Sequence, residues 1–126
     1  MASARLDLVR GEGIPPATYL KADQFREDTW ASLRGRKFNL VFSDGVHSPN
    51  ALRRELDFLL AHDLVADAKP FAMVWDDLLN APMQEAFVDN ANRLKQRFSA
   101  GRLNLYWMHG SYGNRRLNGV FWVVPA

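Results

Sequence analysis

The sequence predicts an α/β fold, a mostly parallel sheet with helices packed on it and a C-terminal antiparallel hairpin. Three observations predict it. Two short apolar runs, residues 38–43 and 71–75, are each followed by a longer stretch with apolar residues at helical spacing. Two further apolar runs, 103–108 and 120–124, complete the pattern with only a turn-rich connection between them. At 126 residues, 48% hydrophobic and 24% charged, the chain has the length and balance of one folded domain.

The elements follow in order. Residues 1–21 are a weakly defined segment in which 6–10 could form a strand and 11–16 a Gly-Pro loop. A helix is expected within 22–33, starting near Asp23 or Arg26. The run Phe38-Asn39-Leu40-Val41-Phe42-Ser43, introduced by Arg34-Gly35-Arg36-Lys37, reads as a buried strand. The loop Asp44-Gly45-Val46-His47 leads to Ser48-Pro49, where a hydroxyl can accept from a first-turn amide and proline suits the first helical position. Leu52, Leu56, Leu59 and Leu60 then mark the apolar face of a helix whose other face carries Arg53, Arg54 and Asp57. Phe71-Ala72-Met73-Val74-Trp75 is a second strand, ending in Asp76-Asp77. Pro82 opens a helix with Met83, Phe87, Ala91, Leu94 and Phe98 on one face, and Gly101 is placed to end it. Strands 103–108 and 120–124 are expected to be antiparallel neighbours because their connection, which includes 109–114, shows no helical pattern.

Composition excludes several classes of function. Cysteine is absent, which removes disulfides and thiolate metal sites. No apolar run approaches the roughly 20 residues of a spanning helix, and no apolar core with a cleavage site follows Met1, so a cytoplasmic setting and no membrane partner are expected. The net charge is +2, and Arg53-Arg54 and Arg115-Arg116 are pairs rather than a stripe. A nucleic-acid interface needs a clustered basic face, so none is expected.

Asp44, His47, Asp76 and Asp77 fall at the carboxyl ends of adjacent strands, where open α/β sheets place their ligands. Local roles compete with a functional one. Asp76 and Asp77 suit the approach to the next helix, Asp44 an Asx turn with Gly45, and His47 a loop hydrogen bond. Trp75, Trp107 and Trp122 lie in strands and are expected in the core. His109 and Tyr112 lie in the connecting turn, where they either line a substrate mouth or are merely exposed, and His62 is expected on the surface at a helix end.

Residues 38–48, F-N-L-V-F-S-D-G-V-H-S, resemble the fourth strand and adjoining loop of class I S-adenosylmethionine-dependent methyltransferases. They are most similar to the branch whose motif reads F-D-L-V-F-I-D-G-x-H-S. The strand at 71–75 with its acidic pair matches that family's fifth strand, and the terminal hairpin matches its paired sixth and seventh strands. The resemblance thus covers roughly 22–125. It implies a Rossmann-like sheet, S-adenosylmethionine as cofactor and methyl transfer, expected as O-methylation of a small-molecule substrate. In metal-dependent members Asp44, Asp76 and Asp77 match the ligands of a Mg2+-type ion, with Asp44 also near the cofactor. His47 then serves as a catalytic base or partner of the ion, and Asp23 as an adenine contact. The sequence departs from the family at its start. The cofactor grip is a glycine-rich loop followed by a helix, whereas Gly11-Glu12-Gly13 leads into Ile14-Pro15-Pro16, and prolines oppose a helix there. The fold is therefore expected in an N-terminally truncated or degenerate form, binding S-adenosylmethionine weakly or not at all. The alternatives are a non-catalytic interaction domain of the same fold and, ranked last because nothing positions its nucleophile, a metal-dependent hydrolase using the same carboxylates. If residues 6–10 do not pair beside 38–43, that strand is an exposed edge, and a homo-oligomer or a partner chain is expected.

Overall fold

The computed structural model describes residues 5–11, 14–98, 101–109 and 117–125. Its elements are β1 (Arg5–Gly11), β2 (Ile14–Lys21), α1 (Glu27–Ala31), β3 (Leu40–Ser43), α2 (Pro49–Ala61), β4 (Phe71–Trp75), α3 (Ala81–Arg97), β5 (Gly101–His109) and β6 (Leu117–Pro125). The architecture is mixed α/β with an open four-stranded sheet in the order β3-β4-β6-β5. β3 and β4 are parallel, with Val41 beside Met73 and Ser43 beside Trp75. β6 runs antiparallel to both β4 and β5. Two of the three pairings are thus antiparallel, and the expected mostly parallel sheet is met by β3 and β4 alone.

β1 and β2 form a separate antiparallel hairpin, with Gly11 opposite Ile14 and Arg5 opposite Lys21. The segment read as a Gly-Pro loop therefore becomes a strand from Ile14 onward. The register shifts between Val9 and Gly11, opposite the two prolines, and a bulge tolerates a missing ladder bond. Because β1 pairs with β2, β3 remains the edge of the main sheet.

The helix ends follow from local chemistry. Ser48 caps α2 by accepting from the Ala51 amide at 3.1 Å, with Pro49 in the first turn. Asn80 caps α3 in the same way through the Met83 amide. Such caps contribute about 1 kcal/mol each relative to alanine. α3 stops at Arg97 with extended Phe98 as its cap. Gly101 does not end the helix; it opens β5 at φ +138°, a conformation that favours glycine.

The core lies on one face of the sheet. Leu52, Leu56 and Leu59 of α2 and Met83, Phe87 and Leu94 of α3 cover Phe71, Met73, Trp75, Phe121 and Val123. These positions alternate along β4, as a half-covered strand requires. Gly119 sits between Trp75 and Trp107 in register, and the Phe87 ring stands over it, 5.3 Å from Trp75 and 4.8 Å from Trp107 by ring centres. Trp75 is fully buried, but Trp107 and Trp122 are each about two-fifths exposed, against the expectation of three core tryptophans. Trp107 lies in outer strand β5 and Trp122 points to the face that the helices do not cover. His62 is buried at the C-cap of α2, with Arg34 3.2 Å from Nδ1 and Glu27 3.6 Å from Nε2, rather than on the surface. No helix among the described residues is long and apolar enough to cross a membrane.

Candidate metal centre

The parallel register of β3 and β4 decides which loops meet. Ser43 lies beside Trp75, so the next residues, Asp44 and Asp76, leave the sheet side by side. The Asp76 amide donates to the Ser43 carbonyl at 2.9 Å and fixes this exit. His47 comes next, in the loop that enters α2. Asp77 takes φ +51° and is held by its amide, which donates to Asn118 Oδ1 of β6 at 3.1 Å.

One ligand atom from each of Asp44, His47, Asp76 and Asp77 can be chosen so that all four lie within 4.8 Å of one another. His47 Nε2 is 3.4 Å from Asp44 Oδ1 and 4.0 Å from Asp77 Oδ2. The side chains grade from half-exposed Asp44 to nearly buried Asp77, so the cluster opens to solvent on the Asp44 side. Burial raises the Asp76 pKa, and a hydrogen bond with Asp44 and the charge of Asp77 raise it further. Crowded carboxylates repel one another, and a bound cation would relieve that repulsion.

The donor set fits a divalent ion. Ligands 2.0–2.6 Å from an ion and on opposite sides of it stand about 4–5 Å apart, which matches the spread of these four groups. Three carboxylates suit a hard cation, whereas coordination through the imidazole would favour a transition metal such as Mn2+ or Zn2+.

Sequence reasoning missed three supports. Asn118, from the far end of the chain, holds Asp77. Gln24 reaches from the segment before α1, and its Oε1 accepts from the Val46 amide at 3.4 Å. Ser43 Oγ donates to Glu55 Oε2 of α2 at 2.8 Å, tying the end of β3 to the helix beyond the loop. Burial pushes the Glu55 carboxyl up, and the Ser43 hydrogen bond opposes this only in part. Ser43 Oγ could have been paired with the helix from sequence, since it precedes the loop and α2 returns over it. Asn118 and Gln24 carry no such local signal.

The structure does not bring Asp23 into the cluster through any described contact. Its Oδ1 accepts from the Phe25 amide at 2.9 Å, and its carbonyl accepts from Thr29 Oγ1 at 2.7 Å, a local turn that precedes α1. His109 ends the backbone of β5, and Tyr112 lies outside the described residues. No family model matches the sequence, and neither a curated protein nor a solved structure is significantly similar to it.

Proposed function

We propose that the chain is a class I methyltransferase-like domain whose Asp44, Asp76 and Asp77 bind a divalent cation, with His47 beside them. The observation that carries this reading is the convergence of three carboxylates and an imidazole from the ends of two parallel strands. In this proposal Asp44, Asp76 and Asp77 are the ligands, and the substrate is a small molecule with a hydroxyl group. When bound, the ion would supply charge that orients the hydroxyl and lowers its pKa. His47, beside Asp44 and one-third exposed, is placed to take the released proton. Asn118 and Ser43 act through the loops they fix, keeping the carboxylates in position. S-adenosylmethionine is the proposed methyl donor, and transfer would be in-line from its sulfonium to the substrate oxygen.

A second reading, a non-catalytic binding domain of the same layout, is favoured by the β1–β2 hairpin. A strand begins at Ile14 where the resemblance would place a cofactor-binding helix. One assay separates the two. The purified chain is incubated with methyl-labelled S-adenosylmethionine and a panel of phenols and catechols, with Mg2+, with Mn2+ or with chelator. Metal-dependent label transfer that is lost in Asp76→Asn supports methyl transfer. Metal binding without detectable S-adenosylmethionine binding or transfer supports the binding domain.

A further inference from the structure

The helices cover one face of the sheet, and the opposite face is apolar and open. Strand alternation places Leu40 and Phe42 of β3, Tyr106 and Met108 of β5, and Val120 and Trp122 of β6 on this face. Leu40 is 65% exposed and Phe42 60%, while Tyr106, Met108 and Trp122 are each a little over 40% exposed. Between the strands the side chains leave a shallow depression of ≈ 350 Å3, floored by Ala72 and Val74. With aromatic side chains presenting about 150–250 Å2 each, the exposed fractions amount to about 500 Å2 of apolar surface. That is toward the upper end for a monomer's largest patch, about 300–600 Å2. Two copies together would bury about 1,000 Å2, the threshold of a specific interface.

The charges at the rim say what fits there. Asp44 and Asp76 stand at the end where β3 and β4 finish. Lys69, just before β4, and Arg102, opposite Val124 on this same face, stand at the other end. Among the described residues the patch is neutral in the middle, acidic at one end and, with Asp67 paired to Arg97, basic at the other. Such a surface complements itself when one copy is turned about a two-fold axis lying midway between the two sheets, parallel to them and perpendicular to the strands. That operation sets strands over antiparallel strands, β3 over β3, with Phe42 near the partner's Leu40. It also lays each acidic end on a basic end. An axis along the strands would oppose like charges instead.

We propose that this face is the interface of a two-fold symmetric homodimer, formed by stacking the two open sheets. Isologous contacts use one patch twice, and aligned sheet packing at about 10 Å spacing accommodates side chains of this size. β3, at the free edge of the sheet, contributes the two most exposed side chains, so Phe42 is the residue on which the interface most depends.

The test is sedimentation equilibrium of the full chain from 1 to 200 µM at low salt with chelator present, which keeps the outcome independent of the metal centre. The expected result is a dimer for the natural sequence. Phe42→Asp and, on the other side of the patch, Trp122→Gln should each weaken dimerisation at least 30-fold while leaving the circular dichroism spectrum unchanged. Arg102→Glu should weaken it at low salt by about tenfold, with the difference shrinking at 0.5 M salt because exposed charges are then screened. A natural-sequence chain that stays monomeric to 200 µM overturns the proposal. So does a dimer whose constant is unchanged in both folded Phe42→Asp and folded Trp122→Gln, which would place the interface elsewhere.

Discussion

Replacing Gly119 by alanine would place a Cβ 2.6 Å from Cδ2 and Cε2 of Phe87. Ordinary carbon contacts lie at about 3.5–4.0 Å, so the ring would have to retreat by about 1 Å. It has little room to do so, because Trp75 and Trp107 flank it edge-on and the helix carrying it is packed on the sheet. Overpacking of this kind costs about 1–3 kcal/mol. Alanine in a strand regains about 0.5–1 kcal/mol of the entropy that glycine loses on folding. The net expectation is a destabilisation of about 1–2 kcal/mol, or about 3–6 °C in melting temperature for a chain of this size. Urea unfolding followed by far-ultraviolet circular dichroism measures it directly. A double-mutant cycle then isolates the cause. In a Phe87→Leu background the added methyl should cost less than about 0.5 kcal/mol, since the ring it meets is gone. Gly119→Ala that is neutral or stabilising in the natural sequence would refute the claim that a glycine gap between two tryptophans seats Phe87.

Three further outcomes are expected. Glu55 has a pKa raised by burial above 4.5, so the folded state binds its proton more tightly than the unfolded state. Its contribution is therefore favourable below the unfolded value and is lost as pH rises through the raised one. Glu55→Gln, which can still accept from Ser43, should stabilise the chain at pH 7 and flatten that fall; an unchanged pH profile of the melting temperature would contradict it. Asp76→Asn removes the most crowded carboxylate, so it should raise the melting temperature of the metal-free chain at pH 7 and abolish stabilisation by added metal, both read by thermal denaturation. Asn118→Ala removes the side-chain acceptor of the Asp77 amide, and loss of such a partly buried bond should cost about 1–2 kcal/mol in urea unfolding. It should also weaken metal binding without removing a ligand, measured by titration.

The features legible in the sequence were local ones. Ser48-Pro49 announced the start of α2 because cap and first turn are neighbours in the chain. The 71–75 run gave β4 at its true length, since alternating apolar residues set both face and extent. The four residues of the cluster were legible too, because position at a strand's carboxyl end depends only on where the strand stops. The rest depended on contacts across the chain. Whether β3 would be central or an edge turned on the partner of residues 6–10, and nothing near either segment specifies that pairing. β2 was obscured by Pro15 and Pro16, which suggest a loop until the irregular register opposite them is known. His62 looked superficial because it stands at a helix's carboxyl end, where a partial positive charge suits the dipole. It is buried by residues 28 and 35 positions earlier, Arg34 and Glu27. Trp122 was misjudged for another reason. An apolar side chain in a strand suggests a core on each face, and here only one face is covered.

The central claim is that Asp44, His47, Asp76 and Asp77 form a divalent-cation site, and calorimetric titration tests it most directly. Mg2+ and Mn2+ are titrated into the metal-free chain at pH 7.5, and the same titrations are made with the Asp44→Asn/Asp76→Asn variant. One saturable site per chain is expected in the natural sequence, with Mn2+ the tighter ion if His47 coordinates. The double variant should remain folded and show no saturable heat. Absence of binding to the natural sequence at 10 mM of either ion, or identical binding by the double variant, would contradict the account.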